Sequence, residues 1–252
     1  MKMPDVTALI DYFDRAYIIN LPDRADRRRA VRKAFNSVGI VIPSQKVRFY
    51  SAVRPAEKGD FYALGARGSF NSHREVLKLA AADGLRNVLV FEDDVAFRWF
   101  PEDLLASIVS GLSQKDWDVV YFGYLEPRST NLKGPLAAWP DATLGGHCYA
   151  VNGHFFKTMI GYMDECEVRP RDHPLGGPMS RDGVYNHIRQ VIPNVRVLLC
   201  IPGLAFQRSS RTDISEVRFF DRILWMRPAL SFLRGIKTKL RVLVDRAKRL
   251  DG

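Results

Sequence analysis

Val88-Leu89-Val90-Phe91-Glu92-Asp93-Asp94 is the stretch that decides the fold. Four consecutive apolar residues, two of them valine and one aromatic, read as a short strand buried on both faces, as found inside an α/β sheet. Three carboxylates follow without a spacer. In open α/β sheets ligands gather at the carboxyl ends of strands, and three adjacent carboxylates there repel one another unless something positive is bound. Hard divalent ions such as Mn²⁺ or Mg²⁺ take carboxylate oxygens and leave positions for phosphate oxygens. Glu92, Asp93 and Asp94 are therefore candidate metal ligands. The same residues also suit a turn in which Asp93 or Asp94 caps the next segment.

Working outward, β-branched and aromatic runs alternate with helical patterns. Ala16–Leu21 reads as a first strand and Arg24–Val38 as a helix, with Val31, Ala34, Phe35 and Val38 at i, i+3, i+4, i+7 and Gly39 as a stop signal. Strands are expected at Val47–Val53, Trp117–Tyr124, His147–Val151 and Val195–Ile201. Helices are expected at Ser69–Ala82, Pro101–Leu112, His154–Met163 and Val184–Val191, with a long loop at Pro127–Pro140. This alternation predicts an α/β sheet with some parallel strands.

Three further segments carry candidate chemistry. Asn20-Leu21-Pro22-Asp23-Arg24-Ala25-Asp26-Arg27 ends the first strand and opens an Arg-rich helix, an arrangement that suits a nucleotide or its phosphates. Read alone, the stretch is better described as a solvated, Arg-rich helix capped by Asp23. In Gly68-Ser69-Phe70-Asn71-Ser72-His73, His73 shares a helix face with Val76, Leu77 and Ala80, which reads first as a core histidine. Ser180-Arg181-Asp182-Gly183 precedes a helix. Asp182 is either a general base for an attacking hydroxyl or the N-cap of that helix.

The 252 residues include 38 Lys+Arg and 28 Asp+Glu, a formal net charge of +10. Between Arg208 and Gly252 there are 12 basic and 5 acidic residues, so this segment alone carries +7. The preceding body, with 26 basic and 23 acidic residues, carries only +3. Cys148, Cys166 and Cys200 form no CxxC pair, which predicts reduced thiols in a cytoplasmic protein. Asp5, Asp11 and Asp14 interrupt the N-terminal segment, which does not read as a signal peptide. No stretch approaches the ~18 apolar residues that a membrane-spanning helix requires.

Taken in order, NLPDRADR, GSFNSH, VLVFEDDVAF, WDVVYFGY, GGHCYAVN, SRDG and PGLAFQRSSRTDIS resemble glycosyltransferase family 25, from about Tyr17 to Ile214. That group includes lipopolysaccharide, lipooligosaccharide and collagen galactosyltransferases. Two positions depart from its pattern: Ser69 stands where the family usually has Cys, and Pro22 precedes the acidic residue after Asn-Leu. The resemblance implies a GT-A-like fold, a mixed sheet flanked by helices that binds a UDP-sugar at the strand ends. It places Glu92, Asp93 and Asp94 at the divalent-metal motif. It places Asn20, Arg24, Arg27, Ser72, His73, Arg208 and Arg211 around the donor, and Asp182 as base for a single displacement. His147 and His187 are further candidate metal ligands.

From Ala229 onward, Leu233, Ile236, Leu240, Leu243, Ala247 and Leu250 continue an apolar stripe at alternating spacings, with basic residues around it. This divides the chain into a catalytic domain, 1–226, and a basic amphipathic helix, 227–252, suited to an anionic membrane surface. The alternative is that its apolar stripe docks on the body or on another copy of itself. No nucleic-acid partner is expected, since no binding motif accompanies the charge. The expectation is a galactose-transferring enzyme acting on a glycan or lipid-linked acceptor, cytoplasmic and peripheral on the inner membrane face. Two rivals are an inactive membrane- or glycan-associated binding protein on the same fold, and a nucleotidyltransferase. The latter would normally carry a Gly-rich phosphate loop near the N-terminus, and none occurs before Gly39.

Overall fold

The computed structural model describes residues 3–125, 132 and 134–208. The expected basic helix at 227–252, Arg211 and part of the expected loop lie outside these residues. The order of elements is α1 (Thr7–Tyr12), β1 (Arg15–Asn20), α2 (Ala25–Asn36), β2 (Val47–Ser51), α3 (Leu64–Ala82), β3 (Asn87–Glu92) and β4 (Val95–Phe97). There follow α4 (Glu102–Gln114), β5 (Val119–Gly123), β6 (Leu136–Ala138), β7 (Cys148–Asn152), α5 (Gly153–Val168), α6 (Arg181–Val191), β8 (Val197–Cys200) and β9 (Ala205–Gln207).

The strands form one mixed sheet in the order β2-β1-β3-β7-β5-β8-β6, with β9 joining β4 to β5. β2, β1 and β3 run parallel, and β7 is antiparallel to both β3 and β5. The two-residue period of a strand sorts its side chains into two cores. Ala16 and Ile18, Leu89 and Phe91, Val120 and Phe122, and Cys148 and Ala150 face a layer containing α1, α2 and α4. Tyr17 and Ile19, Val88 and Val90, Val119 and Tyr121, and Tyr149 and Val151 face α3, α5 and α6. Both faces are covered, so VLVF is the buried interior strand expected, and the helix-flanked mixed sheet that the resemblance implies is the architecture observed. On the first face, Phe35 sits edge-on to Phe91 at 4.9 Å and to Phe97 at 5.1 Å. Side chains of this size contribute about 1.5–3 kcal/mol each on burial.

α3 begins at Leu64, five residues before the predicted Ser69, and runs through Gly65 and Gly68. Gly68 is there for proximity: a Cβ would stand 2.8 Å from the Val53 carbonyl oxygen and 3.2 Å from Pro55 Cδ. The backbone leaving β2 thus presses directly on the helix. β4, β6 and β9 have three residues each and α1 has six, too short for a periodic signal. β6 falls within the segment expected to be loop. No described helix is long and apolar enough to cross a membrane.

Candidate active site

Because β1, β2 and β3 are parallel, their carboxyl ends meet at one edge. There they open into a cleft of about 880 Å³, lined from β1 by Ile19, from the β2 exit by Val53, from α3 by Ser72 and His73, and from the β3 exit by Glu92 and Asp94. Arg27, from the first turn of α2, reaches the same cleft.

The acidic triplet is split among different partners. Asp93 and Asp94 form the turn between β3 and β4, as one sequence reading expected, yet they are only 6% and 5% exposed. Asp93 uses both carboxylate oxygens. Oδ1 meets Arg27 Nη1 at 2.6 Å, and Oδ2 accepts Asn20 Nδ2 at 2.6 Å. Burial raises the Asp93 pKa, with Arg27 and Asn20 acting against it. Glu92 turns the other way, its Oε1 accepting Arg181 Nη2 at 3.0 Å. Burial lifts the Glu92 carboxyl to about 7, against the pull of Arg181. Asp94 is left with one bond, from Gln207 Nε2 to Oδ2 at 3.1 Å, and a 3.7 Å approach of Arg27. Its Oδ1 is buried with no hydrogen-bond partner among the described residues.

That orphaned oxygen is the test of whether a divalent ion fits. Among the described residues, no group of three or more His, Cys, Asp or Glu side chains is arranged to hold a metal ion. The expected three-carboxylate set is therefore not assembled, because Glu92 and Asp93 are engaged by arginines. A single free carboxylate oxygen still suits Mg²⁺ or Mn²⁺, which are commonly held by one or two carboxylates plus substrate phosphates rather than by an all-protein cage. The charges agree: Asp93, Asp94 and Asp182, with Glu92 partly ionised near neutral pH, already balance Arg27, Arg181 and Arg208. A diphosphate entering here would add more negative charge, and a divalent ion offsets it.

The remaining candidates divide clearly. Asn20 is 1% exposed and acts as a strut, its Oδ1 accepting Arg28 Nε at 3.0 Å while its amide holds Asp93. Arg24 is not among the residues that line the cleft, and makes two bonds at 3.0 Å to Asp26. Asp23 does not cap α2: the cap position is Arg24, and Asp23 pairs with Arg54 at 3.0 Å. Ser72 lines the cleft, but its hydroxyl donates to Gly68 O at 2.6 Å and accepts Val53 N–H at 2.8 Å. Arg208 spends its guanidinium on backbone, donating to Asp93 O at 2.8 Å and to Val95 O at 3.2 Å. It ties down the acidic turn from behind.

His73 answers to both of its readings, being 1% exposed in the core and at the cleft floor. Its Nδ1 lies 2.7 Å from Tyr149 Oη, which accepts from Tyr185 Oη at 3.2 Å. We assign the Tyr149 proton to His73 Nδ1, which leaves Nε2–H facing Glu92 Oε1 at 3.8 Å. Burial, with Arg181 nearby, holds the His73 pKa well below the usual imidazole value, so the ring is neutral. Burial likewise lowers His147 to about 4. His187 is not near the acidic turn; its Nδ1 pairs with Tyr162 Oη at 2.5 Å.

Asp182 does not cap α6. Ser180 does, its Oγ accepting Gly183 N–H at 3.1 Å. The Asp182 carboxylate is freed for other partners: Oδ2 accepts Gly145 N–H at 2.8 Å and Oδ1 meets Arg181 Nη1 at 2.5 Å. Arg181 joins Asp182 to Glu92 and was not singled out from the sequence. It sits within the SRDG motif, and its position beside a candidate base was the available signal.

No protein-family model matches the chain. Curated relatives include a glycosyltransferase 25 family member of Drosophila melanogaster, 28% identical over 139 residues covering 48% of this chain and 22% of the relative. Procollagen galactosyltransferase 1-B of Xenopus laevis is 26% identical over 174 residues, 62% of this chain and 28% of the relative. The chain spans about a quarter of the length of these relatives. Among solved structures, a glycosyltransferase involved in glycosylation of the major capsid of PBCV-1 aligns with a TM-score of 0.48 at 12% identity, covering 79% of this chain and 94% of that one. The resemblance to glycosyltransferase family 25 read from the ordered motifs is thus matched by the names of the curated relatives.

Proposed function

We propose that this chain is a glycosyltransferase that moves a sugar, galactose in the first instance, from a UDP-sugar to a cell-surface or lipid-linked glycan. The observation that carries the reading is the cleft at the carboxyl ends of β1 and β3, where the buried Asp94 Oδ1 lacks a partner beside Arg27. The names of the curated relatives support it. Asp94 would hold Mn²⁺ or Mg²⁺, which when bound supplies Lewis-acid stabilisation to a diphosphate leaving group. Arg27 brings a fixed positive charge to the same cleft, and Arg208 keeps the acidic turn from yielding. Asp182 takes the proton of the acceptor hydroxyl as its oxygen bonds to the anomeric carbon. The bond from that carbon to the diphosphate oxygen breaks in the same displacement, and the electron pair leaves on UDP.

The test is metal-dependent hydrolysis across a panel of UDP-sugars, read with thermal shift. Hydrolysis of one UDP-sugar, dependent on Mn²⁺ or Mg²⁺, is the expected result. Neither hydrolysis nor a thermal shift with any UDP-sugar plus metal would replace this reading with a non-catalytic binding protein. Peripheral attachment to the cytoplasmic membrane face through 227–252 belongs to the same proposal, on the charge of that segment. Deleting Arg227–Gly252 is expected to weaken binding to anionic liposomes and leave transfer to a soluble acceptor intact.

A further inference from the structure

Arg181 is the side chain around which the far wall of the site is built. It is 4% exposed, yet it contacts groups from three separate parts of the chain. Nη2 donates to Glu92 Oε1 at 3.0 Å at the end of β3, and Nη1 stands 2.5 Å from Asp182 Oδ1 on α6. The guanidinium carbon lies 5.5 Å from the centre of the Tyr149 ring on β7. Position 146 has no side chain because the guanidinium occupies the space that a Cβ would take, with the Tyr121 ring beside it. Burial alone would make a cation costly there, but the Asp182 and Glu92 carboxylates outweigh it and raise the Arg181 pKa. Glu92 lines the donor cleft, whereas Asp182 is not among its lining residues. The guanidinium fork is the direct connection between them.

We infer that Arg181 is a positioning residue that couples occupancy of the donor cleft to the orientation of the catalytic carboxylate. One arm of the fork registers Glu92 at the cleft floor. The other stands in an ion pair with Asp182 Oδ1, while Gly145 N–H bonds to Oδ2, so both carboxylate oxygens are held. A planar fork holds two carboxylates in a set relation, which a lysine ammonium acting as a point charge does not. The inference rests on the glycosyl-transfer reading above and adds to it a residue that need not touch either substrate.

The test compares wild type with Arg181→Lys, which keeps the positive charge that the half-buried Glu92 and Asp182 require. The kcat should fall about 100-fold, the scale of a carboxylate misplaced by about 1 Å, while UDP affinity and the KM for the UDP-sugar change by only the much smaller factor that reciprocal coupling requires. Guanidinium ion added to Arg181→Ala should restore part of kcat with no accompanying rise in Tm, whereas rescue of a merely structural defect would raise both. An undiminished kcat in Arg181→Lys, or a fall in UDP affinity that matches the fall in kcat, would overturn the inference. A readout independent of turnover is the Arg181 Nε–Hε NMR signal, assigned by its loss in Arg181→Lys. It should move on addition of UDP together with the methyl signals of Ile19 and Val53. Methyl shifts without an Arg181 shift refute the coupling and leave the donor site standing. If neither moves, the donor site itself fails, and the coupling with it.

Discussion

Replacing Gly146 by alanine adds one methyl group at the point where the site is most tightly filled. An ideal Cβ there would overlap the Arg181 guanidinium and stand 2.7 Å from Tyr121 Cε1 and 3.1 Å from Cδ1. Carbon pairs pack best at about 3.5–4.0 Å, so the ring must retreat by about 1 Å or the guanidinium must leave its place. Neither move is free. Tyr121 is 2% exposed and backed by the Tyr149 ring at 6.1 Å, and Arg181 carries the bonds to Glu92 and Asp182. Overpacking of this kind costs about 1–3 kcal/mol. At about 2–4 °C per kcal/mol for a domain of this size, Tm should fall by about 2–12 °C. Transfer should fall further than stability explains, because Asp182 loses its aim. Scanning calorimetry with initial-rate measurements on the same preparation reads both. Gly161→Ala is the control: it lies in α5 with nothing within 4 Å of its Cβ, so alanine should stabilise by up to about 1 kcal/mol. If Gly146→Ala leaves both Tm and rate unchanged, the packing argument around Arg181 is wrong.

Three other outcomes follow from the same geometry. Arg27→Met leaves the 8%-exposed Asp93 side chain without its ion partner and should destabilise by about 3–5 kcal/mol; adding Asp93→Asn should recover most of the loss in urea titrations. Asp94→Ala should leave the protein folded and abolish both transfer and the thermal shift given by Mn²⁺ with UDP, whereas full activity would remove the metal from the reading. The folded Glu92 pKa of about 7 lies above its ordinary 4.5, so its contribution to stability is fully present below about 4.5 and is lost as pH rises to about 7. The Tm of Glu92→Gln relative to wild type should therefore climb across that window and level off above it. A difference that is flat with pH would contradict the raised pKa.

The strands that hold the site were legible because burial on both faces leaves apolar runs that no surface strand shows. VLVF and DVVYFG each read as interior strands, and the odd-even division of their side chains between two cores explains why neither alternates. What the sequence did not disclose was pairing. Three carboxylates in a row look like one ligand set, but successive residues leaving a strand point in different directions, and here each met a separate partner. Asp182 and Ser180 both suit the cap of α6, and only the fold shows that the serine takes it. Arg181 was hidden for the same reason: its role depends on residues 89 positions upstream, at Glu92, and on a missing side chain at Gly146. Arg24 and Arg27 look alike on paper, yet the helical turn sends one to Asp26 and the other to the cleft.

The reversal of direction between β3 and β7 has a consequence for how the site is divided along the chain. β7 enters where β3 leaves, so Glu92 N–H bonds to His147 O at 3.0 Å, and the segment feeding β7 arrives beside the acidic turn. It is this segment that supplies Gly145 N–H to Asp182. Most of the cleft lining comes from β1, α2, the β2 exit, α3 and the β3 exit, which precede this segment in the chain, while Gln207 of β9 follows it. On the proposed reading, a change at Gly145 would act on Asp182 first, and on the cleft only through the Arg181 contact with Glu92. The stretch that aims the proposed base and the stretches that supply most of the cleft lining are thus separate parts of one polypeptide.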